Sequence, residues 1–80
     1  MQGMEATEVK ASLPSYRYGL KGKVHAAGFR TMREFAEVTK IDEALLSRIV
    51  TGWLYPSPKQ QVSISRALRI AMGELRELLQ

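Results

Sequence analysis

Between Thr31 and Gly52 the apolar residues are spaced for two short helices that meet at a tight turn. Phe35 and Ala36 fall on the first helix, Ile41 at the turn, and Leu46 and Ile49 on the inner face of the second. One apolar seam therefore joins both helices, at the spacing that puts side chains on a common helical face. This is the apolar pattern of a helix-turn-helix, with small Ala36 where the helices cross closely. Thr31, with Glu34 three residues on, reads as a capping box in which two otherwise unpaired backbone amides find side-chain oxygens. Asp42 opens the second helix similarly.

Residues 1–14 show no sustained helical period, carry a weak mixed charge and close on Pro14; they read as a flexible N-terminal arm, with a short strand as the alternative. Lys10 is the arm's only cation, which favours a passive tail over a segment that tracks along a polyanion. Residues 15–80 read as one domain. Pro14 suits the first turn of a helix on which Leu20, Val24 and Ala27 share a face. Gly19 and Gly22 weaken that helix by about 1 kcal/mol each relative to alanine. Gly28 ends it in a left-handed cap, with Phe29 tucked back onto the core. The second helix runs from Thr31 to about Thr39 and the third from Asp42 to Val50, stopped by Gly52. After a loop to Pro58, Val62, Ile64, Ser65, Ala67 and Leu68 give an amphipathic fourth helix ending near Ile70. From Gly73 a short fifth helix carries Leu75, Leu78 and Leu79, a ridge too near the end of the chain for a small core to cover completely. The fold class expected is all-α with five helices.

A chain of 80 residues buries about 60–65% of its unfolded surface, so modest stability is expected and a partner subunit would raise it. With 45% hydrophobic and 25% charged residues the composition is that of an ordinary globular protein. No apolar run reaches membrane-spanning length, and Glu5, Glu8 and Lys10 interrupt what would be the apolar core of a secretory signal. A cytoplasmic protein is expected. The absence of cysteine excludes disulfides and thiolate zinc sites, and His25, the single histidine, cannot assemble a metal site alone. Neither metal nor cofactor is expected. Ser47 has no accompanying base, and the chain offers no paired carboxylates in an evident pocket and no Gly-rich phosphate loop, so catalysis is not expected.

The net charge of +4 favours an anionic partner, and its distribution says more than its size. Arg17, Lys21, Lys23, Arg30 and Arg33 follow one another between residues 15 and 33 with no acidic residue among them. Residues 34–50 instead set Glu34, Glu37, Asp42 and Glu43 against Lys40 and Arg48.

With five helices in this order, the chain from about Leu20 to Leu79 resembles the lambda-repressor-like DNA-binding domains of the Cro and phage-repressor family (XRE type). The resemblance rests on Thr31 with Phe35-Ala36-Glu37, on Leu46-Ser47-Arg48-Ile49 before Thr51-Gly52, on Pro56-Ser57, and on Ala67-Leu68-Arg69-Ile70 before Glu74-Leu75. Three positions depart from it. Lys40 stands where the family generally has glycine, Met32 where glutamine is frequent, and Trp53-Leu54-Tyr55 where a basic, polar loop is usual. The resemblance implies a sequence-specific double-stranded DNA-binding regulator, a repressor acting as a homodimer. The alternative keeps the fold and makes the chain a protein-interaction module, such as an antitoxin or a phage factor that binds a host protein. The aromatic loop and the acidic Glu43 in the reading helix motivate it.

With the third helix in a major groove, Glu43, Ala44, Ser47 and Arg48 would meet base edges. Arg48 can donate two hydrogen bonds to guanine, Glu43 can accept from a cytosine amine, and Ala44 can touch a thymine methyl. Read structurally instead, Glu43 and Arg48 are solvated charges on an exposed helix. Leu45 is assigned to the core margin. Phosphates would fall to the amides opening the second helix, to Arg30, Thr31 and Arg33, and on the other flank to Lys40, Thr51 and Lys59. Each of these reads equally well as a cap or a solvated cation. Arg17, Lys21 and Lys23 widen the footprint less, from a helix set back from DNA, and His25 reads as a surface residue. Trp53, Leu54 and Tyr55 are expected to fold partly onto the body; left exposed, Trp53 and Tyr55 would stack on sugars or bind a protein. Leu75, Leu78 and Leu79 read either as a dimer interface or as packing against the first helix.

Overall fold

The computed structural model describes residues 16–80, so the expected arm lies outside the described residues. Five helices follow one another: α1 (Tyr18–Ala26), α2 (Met32–Thr39), α3 (Glu43–Thr51), α4 (Pro58–Leu68) and α5 (Met72–Leu78). The described residues contain no strand. α2 packs on both α3 and α4, α4 on α5, and α1 on α3 and α5. The centre is filled by Leu20 and Val24 of α1, Phe35 of α2, Ile41 of the turn, Leu46, Ile49 and Val50 of α3, Ile64 and Leu68 of α4, and Leu75 and Leu79 at the end of the chain. Every apolar residue assigned to the α2–α3 seam is buried except Ala36, which is half-buried against the same cluster.

Four helix ends use a left-handed residue to satisfy their last carbonyls. At α1, Gly28 (φ 97°) lets its own N–H reach His25 O at 2.9 Å and the Phe29 N–H reach Val24 O at 3.3 Å. Phe29 then tilts against Phe35 with ring centroids 5.0 Å apart, the return onto the core that the sequence predicts. Gly52 (φ 91°) ends α3 with the same pair of bonds, to Ile49 O and Arg48 O. Lys40 (φ 62°) ends α2, and Arg69 (φ 58°) ends α4.

Several expectations are corrected. α1 begins at Tyr18, with the N–H of its N-cap Arg17 donating across the fold to Val50 O at 2.8 Å; Pro14, expected in its first turn, lies outside the described residues. Ala27 is exposed, since it is the cap at which the chain leaves α1. Val62 is exposed at 38%; Gln61 takes the inward position, with its Nε2 donating to Pro56 O at 2.9 Å. α4 also starts earlier than its apolar pattern, at Pro58, because Ser57 and Gln60 form a reciprocal capping box.

The terminal leucine ridge is covered within the chain. Leu75 and Leu79 are 0% and 2% exposed, so neither is available to a second copy. Leu78 is half-buried and lies so close to α1 that a Cβ at Gly19 would come within 3.1 Å of it. Gly19, a weak point in helix propensity, leaves room at this contact for the Leu78 side chain.

Candidate nucleic-acid interface

α3 is amphipathic, and its two faces are sharply divided. Leu46, Ile49 and Val50 are 0–3% exposed, whereas Glu43, Ala44, Ser47 and Arg48 all face solvent. Leu45, at 36% exposure, lies on the boundary. Both ends of the helix are fixed. Asp42 Oδ2 accepts from Ala44 N at 2.9 Å, and Glu43 adds a second carboxylate at the positive end of the helix dipole. At the other end Gly52 and Arg17 satisfy the carbonyls.

Arg17 is the residue whose role escaped sequence reading. Its Nε donates to Leu79 O at 2.9 Å, and its Nη1 donates both to Ile49 O and to Leu54 O, the latter at 2.9 Å. The guanidinium also lies 5.7 Å from the centre of the Tyr55 ring. It ties the C-terminus of α3, the following loop and the chain end together, and places a cation at the negative end of the α3 dipole. Burial pushes its pKa down from the ordinary arginine value, partly countered by Tyr55. With Nε and Nη1 committed to carbonyls inside the fold, Arg17 acts first as a structural tie rather than as a contact that widens a nucleic-acid footprint. No local signal marks this role, because the acceptors are backbone carbonyls far along the chain.

The opening of α2 sits beside α3. Thr31 Oγ1 accepts from Glu34 N at 3.2 Å, as its capping position predicts. The Glu34 carboxylate turns instead to Arg30 N at 2.8 Å, so the reciprocal bond falls one residue before the cap. Among the described residues the first-turn amides of Met32 and Arg33 have no hydrogen-bond acceptor. Arg30, Thr31, Ser47 and Thr51 line one cleft of about 270 Å³, which brings three of the predicted phosphate contacts together with a predicted base reader. The Thr51 hydroxyl already donates to Ser47 O at 2.9 Å, so its proton is engaged within α3. Arg33, Lys40 and Lys59 are exposed on α2, the α2–α3 turn and α4; none of them lines this cleft. The Thr39 hydroxyl steadies that turn from beneath, donating to Phe35 O at 2.9 Å and accepting from Ile41 N at 3.3 Å.

Past α3, Leu54 packs against the core, but Trp53 and Tyr55 are 68% and 58% exposed. The loop is thus less folded onto the body than expected. Arg48, Trp53 and Leu54 line a shallow groove that continues the outer face of α3. Among the described residues the one ion pair is Lys23 Nζ–Glu74 Oε2 at 2.9 Å, joining α1 to α5. Arg30, Arg33, Lys40, Arg48 and Lys59 are therefore without a carboxylate partner among the described residues. None of the helices among those residues is long and apolar enough to cross a membrane. Compared with known proteins, the chain matches no family model, no curated protein and no solved structure.

Proposed function

We propose that this chain is a sequence-specific double-stranded DNA-binding regulator, a repressor of lambda-repressor-like fold that inserts α3 into the major groove of an operator. The observation that carries this reading is the division of α3: a fully buried inner face and rigidly capped ends hold an exposed row of Glu43, Ala44, Ser47 and Arg48. A helix that reads bases needs its outer side chains free and its axis fixed. The open amides at the start of α2, with Arg30, Arg33 and Lys40 unpaired among the described residues, supply the phosphate contacts that set register. A homodimer would present two such helices to half-sites one helical turn apart. Its contact would lie elsewhere than Leu75 and Leu79.

Selection from a randomised duplex pool, followed by affinity measurements on the winning site and a scrambled control across a salt series, tests the reading. The expected result is an enriched palindrome, with half-sites about 10 base pairs apart and a preference of roughly 1000-fold or more. Weak, steeply salt-dependent binding with no enriched motif would reduce the charge to nonspecific attraction.

The exposure of Trp53 and Tyr55 favours a second reading, a protein-interaction module that uses this loop. Polar substitution of both would then abolish capture of the partner while sparing DNA affinity; an unchanged capture eliminates the role.

A further inference from the structure

The cleft beside α3 is more than a seam between helices. Its floor is apolar, built from Phe29, Met32 and Val50, each buried or half-buried against the core, while Lys21, His25 and Arg30 stand exposed on its rim. Among the described residues no aspartate or glutamate lines it. The carboxylate nearest in sequence, Glu34, is turned onto the Arg30 backbone. Lys21 Nζ lies 5.7 Å from the centre of the Tyr16 ring, which also lines the cleft, and has no carboxylate partner among the described residues.

The geometry points to a binding site for a small organic anion: a single apolar ring on the floor, and a phosphate or carboxylate at the rim. The volume of about 270 Å³ lies just below the range for ligand pockets, about 300–1000 Å³, which limits the occupant to roughly one ring. Apolar floor and cationic rim divide the work as ligand sites usually do, with area giving affinity and a few polar groups giving orientation. The cleft shares Arg30, Thr31, Ser47 and Thr51 with the surface proposed for DNA, but its test uses no DNA, so either assignment can fail without the other.

The test is titration of the ¹⁵N-labelled full chain with phenyl phosphate, and separately with inorganic phosphate, followed by amide chemical shifts. Phenyl phosphate is expected to shift amides in residues 21–32 and 47–51, and to bind about tenfold tighter than inorganic phosphate because the ring leaves water. Lys21→Gln should weaken phenyl phosphate about fivefold, as loss of one partly exposed charge contact does. Arg69→Gln, on another surface, should change nothing. Equal affinity for the two probes, shifts spread over Arg66, Arg69 and Arg76, or an unaltered affinity in Lys21→Gln would overturn the assignment.

Discussion

Arg17 packs against the end of α3 and Arg48 belongs to α3 itself, and the protein uses them in opposite ways. Arg17 reaches the C-terminus of α3 from within the fold and gives its N–H groups to the carbonyls of Ile49, Leu54 and Leu79. Arg48 stands on the outer face of α3, exposed and without a carboxylate partner among the described residues. A guanidinium carries five donors in a rigid fork. Turned inward, the fork fixes where a helix lies; turned outward, it leaves the same donors for a ligand. Positive charge on this chain is therefore not one property, and a count of cations mixes latches with contacts.

The largest effect should follow from removing the latch. Arg17→Met keeps an apolar stem but leaves the carbonyls of Leu54 and Leu79 without that donor, while Ile49 O keeps the Gly52 N–H. Leaving buried acceptors unsatisfied costs about 1–3 kcal/mol each, and these are only partly buried, so a total of about 2–3 kcal/mol is expected. In a domain of this size that lowers Tm by roughly 8–24 °C. Arg17→Lys should recover less than half of the loss, because an ammonium cannot span the three acceptors. A thermal melt within about 2 °C of the parent for Arg17→Met would break the contrast at its first term.

The complementary expectation is that Arg48→Ala leaves stability within about 0.5 kcal/mol of the parent, as for surface substitutions generally. Its effect should appear in discrimination. The preference for the selected operator over a scrambled duplex should fall by about 1–3 kcal/mol, roughly 5- to 150-fold. Equal losses on both duplexes would move Arg48 from base reading to phosphate contact.

What could be read from the chain beforehand follows the same division. The α2–α3 pair was legible because its determinants are local: Phe35, Ile41, Leu46 and Ile49 lie within 15 residues of one another, and Thr31, Asp42 and Gly52 mark its ends. The exposure of Glu43, Ala44, Ser47 and Arg48 then follows from helical period alone. Arg17 was not legible, because its acceptors lie 32, 37 and 62 residues away, and any backbone carbonyl can serve. The fate of Leu75 and Leu79 depended on whether the rest of the fold would cover them, a long-range outcome that no local spacing states. The cleft was hidden for a similar reason, since residues 21–32 and 47–51 meet only in the folded chain.

The smallest effect concerns two cations whose backbones resemble each other more than their surroundings do. Lys40 and Arg69 both hold left-handed conformations, at φ 62° and 58°, which cost an L-residue about 1–2 kcal/mol. Glycine relieves that strain but adds about 0.4–1 kcal/mol of unfolded-state entropy, so Lys40→Gly and Arg69→Gly should each stabilise by about 0.5–1 kcal/mol. Only Lys40, in the turn leading into α3, is assigned to a phosphate; Arg69 lines a separate groove with Ala26, Val38 and Arg66. Lys40→Gly should therefore weaken cognate and scrambled duplexes alike and lower the salt slope by about 1, while Arg69→Gly should alter neither. If both variants gain stability and neither loses affinity, Lys40 leaves the phosphate grip and joins Arg69 as a strained cap. If only Lys40→Gly loses affinity, the same backbone strain has two meanings: a tolerated cap at Arg69, and at Lys40 a charge that binding requires where folding alone would favour glycine.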